Sequence, residues 1–410
     1  MRISTSQIYE RALNNLLTQQ TRATKLQTQL ASGLRVQTPS DDPIAAAQIE
    51  LMNQRVSSAE SLQKNREAVE NALKIEEAAL SDMVSTLQRL REMQIQAGSG
   101  VLSEADRHSL ATEAQSLLKQ LQDQANAKDN YGYYMFSGGR SSSPAITLDN
   151  NGAFVYNGDG NQRFQAVSGN LQIAANDTGD NLFMRIKNGN GRFTVTVPTP
   201  NAGTGVVTSG EVVNEGAYVA DNYTISFANN SQGKLVVMIS GATSGNVIPP
   251  SGLTDDAPLY EDGREISFNG MSVTASGQPV AGDSFALNPA KNESLFSTVQ
   301  RMIVNLNKPF NSAVDKAATL TEYHQVLAQL DAAQSNILNY QAIVGSRLTQ
   351  LDSANQTNSI LIDSSKEVLK QLSEIDPAVV ATKYNEQLIN LQAAQQSFVK
   401  IQGLSIFNFI

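Results

Sequence analysis

The chain has 410 residues, 17% of them charged, with a formal net charge of −9 and no cysteine. Without cysteine there can be no disulfide staple, zinc–thiolate site or thiol nucleophile. An acidic chain with no basic face argues against a nucleic-acid partner, which needs clustered cations to displace counterions. The length predicts two to four domains, and with no run of eighteen apolar residues no membrane partner is expected. The first residues, Met1-Arg2-Ile3-Ser4-Thr5-Ser6, lack an apolar h-region, so no cleavable secretory signal is expected.

Residues 7–32 read as an amphipathic helix whose narrow apolar stripe is Leu13, Leu16, Ala23, Leu26 and Leu30. So little apolar area makes a free helix marginal in water. Gly33 suits the left-handed residue after a helix end, and a polar link, Leu34 to Asp41, follows. Asp42 and Pro43 then supply an N-cap and a first-turn proline. The next helix is predicted from Ile44 to about Ala97. Its heptad positions are Leu62, Val69, Leu73, Leu80, Met83, Leu87 and Leu90, with Arg66 and Glu76 as polar members. A third helix opens at Ser103, where Ser103 and Asp106 resemble a capping box, and ends near Ala127.

Between about Ser137 and Pro289 the texture changes. Short alternating runs appear at 153–156, 191–197, 223–227, 234–239, 265–268, 271–275 and 283–287, separated by turn signals such as Asn157-Gly158-Asp159-Gly160 and Asn269-Gly270. They predict an all-β insert, one large domain or two small ones with a join near 198–203. A helix at 293–306 leads back towards a long one. There Leu320, Tyr323, Leu327, Leu330, Ile337, Val344, Leu348, Leu351, Ile362, Leu369 and Leu372 mark a heptad seam about 80 Å long. Gln334, Gln341, Asn355, Asn358 and Ser365 interrupt it, weakening the seam while fixing register. Asp376 and Pro377 cap a last helix carrying Leu388, Leu391, Phe398 and Ile401. The chain closes on Leu404-Ser405-Ile406-Phe407-Asn408-Phe409-Ile410.

The two ends mirror each other: short helix, break, Asp-Pro cap, long helix, and the reverse. Pairing short with short and long with long, antiparallel, gives every apolar stripe a partner. The expected fold class is α+β, a long antiparallel α-helical coiled-coil rod made by both chain ends with an all-β insert between them.

No catalytic constellation is present. His108 and His324 lie in different helices without metal spacing, and the glycine pairs lack a following Lys-Ser or Lys-Thr. The acidic loops Asp255, Asp256, Glu261, Asp262 and Asp177, Asp180 read as solvated loops rather than cation sites. The aromatic run Tyr131-Gly132-Tyr133-Tyr134-Met135-Phe136, where helix gives way to strand, reads as packing that welds the two regions, with a binding patch as the lesser alternative. No enzyme activity, cofactor or metal is expected.

Two helical ends around a variable β-rich centre resemble the flagellin superfamily of axial flagellar proteins. The segment Leu30-Ala31-Ser32-Gly33-Leu34-Arg35-Val36-Gln37-Thr38-Pro39-Ser40-Asp41-Asp42-Pro43 is similar to that family's Leu-Ser-Ser-Gly-Leu-Arg-Ile signature with its paired aspartates. Three further features resemble the branch of the superfamily found at the hook–filament junction. They are Tyr133-Tyr134-Met135-Phe136-Ser137-Gly138, Gly282-Asp283-Ser284-Phe285, and the terminal Leu404 to Ile410 where filament flagellins usually end in Leu-Leu-Arg.

The resemblance implies a secreted structural protein that joins hook to filament by polymerising through its terminal helices and is exported through the flagellar type III apparatus. A flagellin forming the filament itself is the alternative, and a surface adhesin or enzyme displayed on the β insert the alternative of another class. In the first reading its partners would be itself in a ring, a hook-associated protein on the hook side, flagellin on the filament side, and a cytoplasmic export chaperone on the C-terminal helices. It also implies the division of the chain. Residues 1–42 and 376–410 would be axial-core segments, 43–136 and 291–375 the halves of a helical rod, and 137–290 the outward-facing insert. The expected assembly interface is Leu13, Leu16, Leu26, Leu30, Leu388, Leu391, Phe398, Ile401, Leu404, Ile406, Phe407 and Phe409.

Overall fold

The computed structural model describes residues 5–198 and 201–403, with side chains from 7 to 400. Among the described residues six α-helices carry the ends of the chain: α1 (Thr5–Ser32), α2 (Pro43–Gly98), α3 (Glu104–Ala125), α4 (Leu295–Leu306), α5 (Ala313–Ser373) and α6 (Pro377–Gly403). The strands lie between α3 and α4, so this is an α+β fold with helical ends and an antiparallel β centre.

The chain forms two compact units. One comprises residues 1–66, 166–171 and 353–410, the other 67–165 and 172–352. In the first, α1 packs on α6, and the α2 and α5 stretches run antiparallel, Lys366 Nζ reaching Glu60 at 3.0 Å and Gln63 bonding Asn355. The seam residue Asn358 is buried, and its side-chain amide donates to the Val167 carbonyl at 2.8 Å. A polar seam position thus serves as the socket for a hairpin tip.

In the second unit the seam is dense. Leu73, Leu80, Leu87 and Leu90 of α2 and Ile337, Val344 and Leu351 of α5 are all fully buried. Antiparallel pairing is pinned by Arg91 on Asp331 at 2.5 Å and by the Gln94 amide on the Tyr323 carbonyl at 3.0 Å. Ser103 caps α3 reciprocally with Asp106, which satisfies two end N–H groups at once.

Each of the seven alternating runs carries a strand. Tyr223–Asn229 shows why, since its alternate side chains Tyr223, Ile225 and Phe227 are buried and those between them are not. A five-stranded antiparallel sheet is ordered Gly245–Ile248, Leu235–Gly241, Tyr223–Asn229, Ser284–Pro289, Phe193–Thr196. A second sheet is built on Met271–Ser276, with Glu265–Phe268 and Val206–Val207 beside it. Both sheets feed one core, in which Val195, Ile225, Ile239 and Leu287 meet Val207, Met271, Val273 and Ala275. Strands on either side of the 198–203 stretch contribute to it. Before this core come two hairpins, Ile146–Leu148 with Phe154–Tyr156, and Phe164–Ser168 with Leu171–Ala174.

Candidate assembly interface

The α1–α6 pair is a thin structure. On α1, Leu13, Leu16, Leu26 and Leu30 are half-buried, as are Leu388, Leu391 and Phe398 on α6. Among the described residues of the two helices, Ala23 alone is buried. The two helices touch along their length, yet few side chains are closed off between them. Tyr9 meets Phe398 with ring centroids 5.1 Å apart, and the Gln387 amide donates to the Gln19 carbonyl at 3.2 Å while also bonding the Gln19 side chain. On the same pair, Leu17, Val379, Ile389 and Val399 are exposed, the last two at 66% and 64%. The Ile401 side chain and Leu404, Ile406, Phe407 and Phe409 lie outside what the structure describes.

The breaks beside these helices are built far more tightly. Gly33 adopts φ +73°, the left-handed turn that ends α1. The two breaks then bond each other: Arg35 N–H donates to Ser373 O at 2.6 Å and Ile375 N–H to Gly33 O at 3.1 Å. The Arg35 guanidinium adds Leu372 O at 2.9 Å and Asp42 at 3.1 Å. Asp41 accepts from Lys25 Nζ at 2.8 Å and from the Thr38 and Gln37 N–H groups at 3.0 and 3.2 Å. Lys25, then those N–H groups, hold its carboxyl far below the usual carboxylate range.

Asp42 receives the Ala45 N–H at 3.0 Å, and this, with Arg35 second, lowers its pKa too. Pro43 is the first residue of α2 and Pro377 the first of α6. Asp376 receives the N–H groups of Ala378 and Val379 at 2.9 and 3.3 Å. Sequence reasoning gave Lys25 no role and placed Arg35 only in the polar link and the Leu30–Pro43 signature, without a partner. The signal was a lone cation within reach of each of two adjacent aspartates.

The aromatic run divides. Met135 and Phe136 are buried, and Phe136 starts a chain of rings through Phe183, Phe296 and Phe154 at centroid spacings of 5.3, 5.9 and 4.9 Å. Gly138 follows at φ +66°, where an added Cβ would meet the Asp159 carbonyl at 2.4 Å, so glycine is obligatory. The expected weld does not extend to Tyr131 and Tyr133, which are 77% and 48% exposed. They rim a groove of about 290 Å³ floored by Ala68, Ala72 and Ile75. The bend after Asp129, whose carboxylate accepts both tyrosine N–H groups, turns these rings outward.

The other sequence candidates are separate. His108 is exposed, 2.8 Å from Asn307 Oδ1, and His324 is half-buried, its pKa lowered by desolvation. Asp177 and Asp180 go to different arginines, Arg347 and Arg185. Among the described residues no group of three or more His, Asp or Glu side chains could hold a metal ion, and no helix is long and apolar enough to cross a membrane.

The sequence model of the bacterial flagellin N-terminal helical region matches residues 3–141. Flagellar hook-associated protein 3 of Salmonella typhimurium is 24% identical over 407 residues, 99% of each chain. The crystal structure of flagellar hook-associated protein 3 from Legionella pneumophila is 58% identical, with TM-score 0.77, covering 79% of this chain and 98% of that one. The chain belongs to the flagellar hook-associated protein 3 family. A second family member, FlgL of Xanthomonas campestris, aligns at 25% identity and TM-score 0.69 over 78% of this chain and 98% of its own. Flagellin is a more distant relative. The Listeria monocytogenes flagellin is 35% identical over 98 residues, 24% of this chain. Against hook-associated protein 3 the likeness runs end to end, through the β centre as well as the helices.

Proposed function

We propose that this chain is a structural component of the bacterial flagellum that joins hook to filament, polymerising through its terminal helices. The observation that carries the reading is the alignment with the Legionella structures, one of which is described as the flagellar junction protein, at 58% identity across 99% of that chain. The physical support lies in α1 and α6. A helix pair that exposes Leu17, Ile389 and Val399 and buries little between its members is stabilised by further copies packing on it. The interface would be Leu13, Leu16, Leu26, Leu30, Leu388, Leu391 and Phe398, with Ile401, Leu404, Ile406, Phe407 and Phe409 beyond them.

In this reading 1–42 and 376–410 are the axial segments, 43–136 and 291–375 the surrounding helical layer, and 137–290 the outward part. Copies of the chain form a ring, with a hook-associated protein on one side and flagellin on the other. Before export a cytoplasmic chaperone holds the C-terminal helices. The role is structural and not enzymatic. Immunogold electron microscopy of intact flagella, with antibody to residues 140–290, tests it. A single labelled band between hook and filament is expected, and label along the whole filament contradicts the proposal.

A further inference from the structure

Glu76 occupies a seam position of α2, and its side chain is fully buried. One of its oxygens accepts the Asp177 backbone N–H at 3.1 Å, and the other, Oε2, has no hydrogen-bond partner. Asp177 is buried as completely, but it is already held. Arg347 of α5 grips both its oxygens at 2.9 Å each, and the Gln162 amide donates at 2.6 Å. Arg163 is the second cation facing the cluster, with its Nε buried and unpartnered. The Arg163 N–H is bonded to Asn176 Oδ1 at 2.9 Å, and the Asn176 amide reaches Met135 O at 3.1 Å. Neighbours on both sides therefore fix this segment in place.

Two buried carboxylates thus stand together where one guanidinium is fully committed to Asp177. A second anion there is costly, because a buried charge is tolerated only when paired and hydrogen-bonded. Burial first, and the Asp177 charge second, push the Glu76 pKa up to about 8. The Asp177 N–H, Arg347 and Arg163 pull the other way and do not compensate. From α5 the Tyr340 phenol also feels the pair, its pKa raised by burial first and then by Asp177.

We propose that the Glu76–Asp177–Arg347–Arg163 cluster is a proton-operated latch that holds the segment around Asn176 and Asp177 between α2 and α5. With Glu76 protonated, Arg347 belongs to Asp177 alone and the segment is shut. When Glu76 releases its proton to solvent water, two anions compete for Arg347, and the segment opens to admit water or to bring Arg163 round. The latch is independent of the junction reading, since it rests on contacts inside one unit.

Amide exchange of peptides covering 172–180 in the full-length monomer, corrected for the intrinsic pH dependence, tests it. Protection should fall about tenfold or more between about pH 7 and pH 9 and stay level in Glu76→Gln. Protection that does not change with pH, or an E76Q curve that follows the parent, overturns the latch. If E76Q does not fold, carboxyl carbon shifts of the parent decide instead. One glutamate titrating near 8 is expected, and every glutamate titrating below about 6 contradicts the proposal.

Discussion

The two units of this chain pack their helices in opposite ways. Between Glu67 and Asp352 the α2–α5 seam is filled by side chains with no exposure at all, among them Leu73, Leu80, Leu87, Ile337, Val344 and Leu351. In the other unit, Ala23 alone is buried among the described side chains of α1 and α6. The first arrangement is stable by itself, because full burial of each large apolar side chain is worth about 1.5–3 kcal/mol. The second buries far less apolar area, and in the proposed reading its helices would gain stability from the copies that pack on them. One chain thus combines a finished core with an unfinished one, and the unfinished one lies at both ends of the sequence.

The largest effect should come from breaking the finished unit at its buried ion pair. Arg347→Ala leaves Asp177 uncompensated and should cost about 3–5 kcal/mol of stability in denaturant unfolding. Leu87→Ala, in a fully buried seam position, should cost about 2–5 kcal/mol and leave α1 and α6 unaffected. Asp376→Ala, which removes the acceptor for the first N–H groups of α6, should cost about 1 kcal/mol and show as lost helix content. Leu388→Ala sharpens the comparison most. It should change monomer stability by less than about 1 kcal/mol, because Leu388 is only half-buried, yet abolish polymerisation followed by light scattering.

Acid separates the units as well. The folded pKa values of Asp41 and Asp42 lie below their unfolded values, so the stability these groups supply is present above about pH 4 and is lost as pH falls through the folded values. Circular dichroism should show part of the helix signal lost in acid before the β core unfolds. Glu76 has the opposite sign. Its folded pKa lies above the unfolded one, so it erodes stability as pH rises from about 4 towards about 8.

Most of the architecture was legible in the sequence because it is periodic. The helical seams, the Gly33 stop, the Asp42 and Asp376 caps and the alternating Tyr223–Phe227 strand are each written in a repeat or a cap signature. What was not legible depends on residues far apart in the chain. Glu76 read only as a polar break in a heptad, Asp177 as half of an acidic loop, and Arg347 did not stand out. Their meeting is set by where the segment carrying Asp177 lies against two helices, which no local pattern encodes. Asn358 is similar. Its position announced a register device, but its partner, the Val167 carbonyl, sits on a hairpin the sequence did not show. The short strands Ile146–Leu148 and Phe164–Ser168 were missed because runs of three to five residues among dense turn signals carry too little alternation.

The contrast between the units is tested most directly by amide exchange on the isolated full-length monomer, compared helix by helix. The account predicts that α1 and α6 exchange at close to unprotected rates while 67–98 of α2 and 313–352 of α5 are strongly protected, and that α1 and α6 become protected on polymerisation. Equal protection of all four in the monomer would contradict it, because the chain ends would then be a finished fold rather than an interface waiting for its neighbours.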